Sequence, residues 1–369
     1  MREQKQLAGG EGKRSIGRVL TELRLRNFRC FESLVFQPKS GVHFLVGRNA
    51  EGKTSILEAA CALARLQSPR AASLGQTIQF DCPAASLDGR IHDRHLRFQW
   101  GQGGRKVELD SVVQPTSSEY LGVAKVSWFS NDDMELLRGG GGPRRRFLDF
   151  LGAQTVPGYL TTLRDYDRAL RSRNLLLRQG ASWAQIEAYH QPMGRLGDFL
   201  TSARRELLRE LSPQVQQASD RISGCHDATD CEFEASIDQP LLEALGQTRS
   251  RDERLRQTTS GPHRDDFCVR LNGRNAAQFA SEGQQRTAVL ALRVAQTHVL
   301  HQRTGQLPLL LIDDVFGELD EQRRNHLLAS LPPGAQSLIT TTHLSWKTSD
   351  FPAYISELND GKLTPLQGV

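Results

Sequence analysis

No stretch of this chain is apolar for long enough to cross a membrane, and its first residues, "MREQKQLAGGEGKRSIGR", lack the apolar core of a secretion signal. A membrane partner or an exported protein is therefore not expected. The six cysteines (Cys30, Cys61, Cys82, Cys225, Cys231 and Cys268) fall at irregular spacings with no Cys-x-x-Cys pair. A disulfide framework is excluded on that pattern, which suits the reducing cytoplasm. Cys225, His226 and Cys231 lie close together, but no second ligand pair follows, so zinc is not expected. The polar, basic opening, residues 1–19, reads as a disordered tail ahead of the fold.

What is present is enough apolar material for one large core or two modest ones, since 38% of the 369 residues are hydrophobic. The formal charge of +5 permits a polyanionic partner without demanding one. "VHFLVGRNAEGKTSILEAACAL" reads as a buried strand, Val42–Val46, a turn, and a helix from Lys53 onward. The turn fits G-x-x-x-x-G-K-[ST] through Gly47, Arg48, Asn49, Ala50, Glu51, Gly52, Lys53 and Thr54, with Ser55 following. Successive backbone N–H groups in such a turn form an anion nest, reinforced by the helix N-terminus. Lys53 is placed for the β- and γ-phosphates of ATP, and the Thr54 hydroxyl for Mg²⁺.

A second phosphate-related element lies far along the chain, at "LPLLLIDDVFGELD". An apolar strand, Leu309–Ile312, ends in Asp313 and Asp314. Carboxylates at the carboxyl end of a parallel strand sit at the ligand edge of such sheets. Asp313 is the candidate for orienting the Mg²⁺ shell and Asp314 for polarising the attacking water, with an N-cap role as the plain alternative for Asp314. His343 ends the strand "SLITTT" and is a candidate γ-phosphate contact or simply a loop histidine.

Between the two elements, "ASEGQQRTAVLAL" opens a helix with Ser281, Gly283 and Gln284, where one capping residue would suffice. Glycine inside a helix costs roughly 1 kcal/mol relative to alanine. At a helix N-terminus it lets a phosphate approach free N–H groups. A phosphate loop and an acidic strand separated by most of the chain, with "SEGQQ" before the strand, follow the order of ABC-type ATPases. In that class Ser281, Gly283 and Gln284 would cap the γ-phosphate held by a second copy, an ATP-binding role in trans.

Residues 127–255 read as a helical arm inserted between an N-terminal head segment, 20–126, and a C-terminal one, 256–369. In Tyr159–Arg178, Leu163, Tyr166, Leu170 and Leu177 share one helical face. Arg164, Arg168, Arg171 and Arg178 share another, either a DNA-binding stripe or a solvated face. A further helix is read across Trp183–Leu211, and Gly139–Gly142 as a flexible loop. "LNGR" and "NDGK" read as hairpin turns.

"LTELRLRNFRCFESLVF", "GRNAEGKTSILEA", "GPHRDDFCVRLNG", "FASEGQQRTAVLALRVAQ" and "LLLIDDVFGELD" together resemble the RecF family, compact SMC-like ATPases of recombinational gap repair. "WFSNDDMELLRGGGGPRRRFLDF" resembles a further block of that family, with Asn131 where proline is usual. Ala50 stands where related heads commonly have glycine. The resemblance implies an α/β fold, an ABC/SMC-like P-loop ATPase head with an inserted, mainly α-helical arm. It implies ATP and Mg²⁺, an ATP-dependent homodimer with weak hydrolysis used as a switch, and clamping of double-stranded DNA near single-strand/duplex junctions. RecR as a partner, RecA indirectly, and roles in replication and the SOS response belong to the same expectation. Two rivals are the ATPase subunit of a membrane transporter, which would have no use for "GPHRDD", and an ATPase-linked nuclease, for which no carboxylate-rich nuclease domain follows the head.

Overall fold

The computed structural model describes residues 20–344 and 352–366, so the expected tail, residues 1–19, lies outside the described residues. Strand Leu20–Phe28 alternates buried Leu23, Leu25 and Phe28 with exposed Arg24 and Arg26, the period-2 pattern of a sheet wet on one face. It pairs with Phe31–Phe36 and Ala84–Ile91 in a six-stranded antiparallel sheet. A second six-stranded sheet runs in the order Lys362–Leu366, Ala353–Asn359, Val42–Val46, Ser337–Thr341, Leu309–Asp313, Val126–Ser130. Its pairings are parallel except at the Lys362–Leu366 edge.

Helix Lys53–Arg65 fills the space between the two sheets. Ile56, Leu57 and Ala59 through Ala64 are all buried, because a helix with a sheet on each side keeps no wet face. Leu309 and Leu311 face this helix, whereas Leu310 and Ile312 face the opposite layer. The strand is therefore apolar throughout, as a strand covered on both faces must be. The opposite layer holds helix Glu282–Thr304, helix Gly141–Thr155, the second half of helix His190–Ser223, and a three-stranded sheet of Thr229–Glu234, Asp266–Leu271 and Arg274–Asn275. Both hairpins read from the sequence are present: Asn272–Gly273 and Asp360–Gly361 take positive φ between antiparallel strands.

The arm has its own small core of Tyr159, Tyr166, Met193, Leu200, Leu241 and Leu245. Helix Tyr159–Gln179 exposes Arg164, Arg168 and Arg171. Arg173 points inward instead. It is fully buried, donates to Asp252 at 2.9 Å and to Thr258 at 2.7 Å, and Thr259 completes the carboxylate's shell.

Three expectations need correction. Position 127 is no boundary, because Val126–Ser130 is a strand of the parallel sheet, and residues Leu207 to Ile222 return to the head core. The strand is short and its partner, Leu309–Asp313, is distant, so nothing local marks it. The helix read across Trp183–Leu211 is two helices, Trp183–Glu187 and His190–Ser223, and the second runs through Pro213. Of Gly139–Gly142 only the first two are loop, since Gly141 starts a helix with Pro143 in its first turn, where a missing N–H costs nothing.

"GPHRDD" joins arm to head. Arg144 grips Asp266 with two bonds, at 2.6 and 2.7 Å, and Thr201 and Ser236 hydrogen-bond the Asp265 carboxylate. Arg204 holds Asp149 at 2.9 and 3.0 Å and the Pro262 carbonyl at 2.6 Å. His263 donates from Nε2 to the Thr258 carbonyl and accepts from the Tyr166 hydroxyl at Nδ1, 2.8 Å away. His43, in the strand before the phosphate loop, likewise accepts the Lys39 N–H at Nδ1 and donates to Ser356. Both rings are therefore neutral, and burial pushes each pKa down to about 4.

In the unfolded chain these histidines take up protons near pH 6.5, so the unfolded state binds more protons between pH 6.5 and about 4 and folding stability rises with pH there. We expect the unfolding free energy to level off near pH 7 and to fall as pH drops from 6.5, by up to about 1.4 kcal/mol per unit for each histidine. Denaturant titrations between pH 6.5 and about 5, above the range of ordinary carboxylates, read this term, to which His190 and His298, whose pKa values burial also lowers, add in the same direction. An unfolding free energy that stays flat across that interval would contradict it.

Candidate nucleotide site

The loop Gly47–Gly52 turns sharply between strand and helix, with Ala50 at φ 68° and Gly52 at φ 103°. Alanine in the left-handed region costs about 1 kcal/mol, which explains why glycine suits that position in related heads. Gly52 has no such latitude: a Cβ there would lie 2.7 Å from both Cys30 Sγ and the Phe31 ring. The Glu51 carboxylate accepts from Arg48 N at 2.9 Å and holds the turn closed. Lys53 Nζ donates to the Gly47 and Arg48 carbonyls at 2.6 and 2.7 Å, so the ammonium is pinned across the mouth of the loop. Desolvation lowers its pKa, opposed by the charges of Asp314, Glu51 and Asp313.

Thr54 Oγ1 donates to Asp313 Oδ1 at 2.7 Å. Thr340 Oγ1 donates to the same oxygen at 2.9 Å and accepts from Asp314 N at 2.8 Å. Burial raises the Asp313 pKa, and the two hydroxyl donors pull it back. Asp314 takes φ 52°, and Asn131 Nδ2 donates to its carbonyl at 3.3 Å. Lys53, Thr54, Ser55, Asn49, Asp314 and Thr340 line a cavity of about 540 Å³. The two sequence-distant motifs thus meet at one site.

The donor set fits Mg²⁺. A hydroxyl and a carboxylate oxygen in mutual hydrogen-bond contact are hard ligands, and magnesium characteristically takes one or two such groups and completes its shell with phosphate and water. Among the described residues no cluster of three or more acidic, histidine or cysteine ligands occurs that would instead suit a self-contained metal cage.

Several residues at the cavity were missed in the sequence. Glu58, fully buried one turn along the helix, takes two bonds from Arg29, at 2.9 and 2.7 Å, and one from Ser68 at 2.5 Å. Arg29 and Arg70 line the cavity with Thr340. The signal for Glu58 was there, a single carboxylate in the apolar run "SILEAACAL", since a buried charge requires a partner. His343 takes the plainer of its two readings, a loop histidine. The strand ends at Thr341, His343 is exposed, and Thr340 rather than His343 faces the cavity.

Ser281, Gly283 and Gln284 are not among the residues lining that cavity. Ser281 is exposed and Gly283 and Gln284 are half-buried at the start of helix Glu282–Thr304, where Ser281 and Gln284 form a capping box. Ser281 Oγ accepts from Gln284 N at 3.3 Å, and Gln284 Oε1 accepts from Ser281 N at 3.0 Å. The bare face of Gly283 lies under the Arg323 guanidinium, whose nitrogens would be 3.1 and 3.2 Å from an added Cβ. Arg164, Arg168 and Arg171 stand apart on the arm, with Arg168 in an exposed ion pair with Asp165 at 3.1 Å.

A parallel sheet bearing a phosphate loop and an acidic strand end, an antiparallel sheet across the loop's helix, and a capped serine–glycine helix on the far layer define an SMC-like, ABC-type P-loop ATPase head with a helical arm. A family model described as an AAA domain matches residues 22–95. A DNA replication and repair protein RecF from Anaeromyxobacter sp. is 36% identical, over 88% of this chain and 92% of its own. RecF of Myxococcus xanthus is 34% identical over 88% and 90%, and that of Exiguobacterium sp. 32% over 88% and 92%. A solved structure of the recombination mediator protein RecF of the RecFOR pathway with ATP superposes with TM-score 0.84 at 26% identity, covering 94% of this chain and 97% of that one. An Smc head bound to the C-terminal domain of ScpA, from Pyrococcus furiosus, shares the fold at TM-score 0.53 and 13% identity, covering 94% and 96%. The chain belongs to the RecF family of DNA replication and repair proteins.

Lys53→Ala removes the ammonium at the mouth of the loop and is expected to abolish binding of a fluorescent ATP analogue. Asp314→Asn leaves the loop, Thr54 and Asp313 in place and is expected to keep wild-type affinity while losing hydrolysis. Fluorescence titration with parallel phosphate-release assays checks both. Unchanged affinity in Lys53→Ala, or an unchanged hydrolysis rate in Asp314→Asn, would contradict the assignment.

Proposed function

We propose that this chain binds ATP with Mg²⁺ at the Lys53 cavity and dimerises on ATP, so that Ser281, Gly283 and Gln284 of one copy close over the γ-phosphate held by the other. The observation that carries the reading is the separation of two phosphate-competent helix starts. One is completed within its own chain by Lys53, Thr54 and Asp313; the other, capped and exposed at Ser281, lies outside the cavity that the first one lines. ATP bound to the related RecF supports the first half. Thr54 and Asp313 would hold Mg²⁺, which supplies charge neutralisation on the phosphate oxygens. Asp314, held at the end of its strand by Asn131 and Thr340, accepts a proton from the attacking water. Hydrolysis is slow and serves as a switch that reopens the dimer.

The closed dimer clamps duplex DNA near single-strand gaps and works with RecR to help load RecA, as membership of a family of DNA replication and repair proteins supports. The exposed arginines of the arm, Arg164, Arg168 and Arg171, are the proposed phosphate-backbone contacts.

Ser281→Arg should leave nucleotide binding by the monomer near wild type, because the nest at Gly47–Thr54 is complete in one chain. Its guanidinium fills the space the neighbouring phosphate needs, so dimerisation and hydrolysis should fail together. Mixing it with Lys53→Ala should restore part of the hydrolysis, one composite site drawing Lys53 and Ser281 from different chains. Ultracentrifugation with ATP and phosphate-release assays read this out, and a Ser281→Arg protein that dimerises as wild type overturns the trans arrangement.

Replacing Arg164, Arg168 and Arg171 together should weaken duplex binding and flatten its dependence on salt by about 0.9 in log–log slope per lost contact. Binding isotherms at several salt concentrations measure the slope. An unchanged slope would return these arginines to a solvated face.

A further inference from the structure

Both ends of the Gln284 amide are engaged. Its Oε1 accepts from Ser281 N at 3.0 Å, and its Nε2 donates to Asp227 Oδ2 at 3.2 Å. Asp227 is itself held from two sides. Asn272, at the tip of a hairpin, donates from Nδ2 to Asp227 Oδ1 at 2.9 Å and fastens the neighbouring residue through Ala228 N at 2.9 Å. Gln216 donates to the Asp227 carbonyl at 3.0 Å and accepts from Thr229 N at 2.6 Å. Gln216 lies on helix His190–Ser223, which begins in the arm core and ends in the head core.

We propose that Asp227 is the positioning residue of the composite phosphate site, fixing the Gln284 amide and, through it, the Ser281–Gln284 cap offered to a second chain. The inference rests on the trans reading of Ser281 and Gln284 made above. The two ends of an amide are alike in size, so its orientation must be chosen by its partners. A carboxylate only accepts, and it therefore pairs with the NH₂ end alone, which turns Oε1 toward Ser281 N–H. With that bond made and Gln284 N–H given to Ser281 Oγ, the serine hydroxyl keeps its proton for an outside acceptor such as a phosphate oxygen. Without the carboxylate the amide rotates, the cap loosens, and the face presented to the partner is no longer preorganised. Asp227 touches no substrate; its effect passes through Gln284.

The test uses the full chain with ATP and Mg²⁺. Asp227→Ala should bind a fluorescent ATP analogue as a monomer with wild-type affinity, yet need about tenfold more protein to form the ATP-dependent dimer, the scale of one lost hydrogen bond to a charged group. Gln284→Ala should shift dimerisation by a similar factor, and the double variant should be little worse than either alone, because the two act as one unit. If Asp227→Ala does not fold, Asp227→Asn, which keeps the shape but only one acceptor oxygen, should shift dimerisation in the same direction. Ser281→Arg run in parallel separates the two claims. If it dimerises as wild type, the trans reading falls. If it is blocked while the Asp227 variant dimerises at the wild-type concentration, or while the Asp227 and Gln284 effects add, the positioning role is overturned and the trans reading stands.

Discussion

A hydrogen bond of 2.7 Å from the Thr54 hydroxyl to Asp313 links residues 259 positions apart, and the nucleotide site exists only because the fold makes that contact. Three adjacent parallel strands set it. Val46 pairs with Thr341, and Thr340 pairs with Asp313, so the Thr340 hydroxyl stands beside both acidic residues. A slip of one residue in either pairing would turn Thr340 to the opposite face. Register is enforced by burial on both sides, with Leu309 and Leu311 against the phosphate-loop helix and Leu310 and Ile312 against the opposite layer.

The arm depends on a different kind of interaction, charged groups removed from water in matched pairs. Arg173 with Asp252 and Arg204 with Asp149 each carry bonds beyond the ion pair itself. Removing one partner of a buried pair strands the other charge, at a cost of about 3–5 kcal/mol. Such joints specify one orientation more than they add stability. "GPHRDD" is thus a joint between arm and head.

The parts of the site that read clearly from the sequence are those whose physics is local. Gly47 to Thr54 lie within one turn, and Asp313 with Asp314 follow an apolar strand directly. The capping box of Ser281 and Gln284 is likewise contained in four residues. Thr340, Arg29 and Arg70 were not legible, because each reaches the cavity from a separate element and carries no pattern of its own. Residues 127–130 of strand Val126–Ser130 were placed in the arm for the same reason: a five-residue strand is recognisable only by its partner. His343, open in the sequence between a γ-phosphate contact and a loop histidine, lies beyond the end of its strand, and Thr340 is the residue that bonds Asp313. Gly283 was read as open space for a phosphate, and the structure adds that Arg323 of the same chain lies over it.

In the proposed arrangement one chain holds an ATP-binding half-site at Lys53 and offers the Ser281 cap to a second copy. Light scattering on the native protein, without nucleotide and then with ATP and Mg²⁺, tests it most directly. The expected mass is that of one chain without nucleotide and of two with it. A mass that does not respond to ATP, while ATP binds, would contradict it.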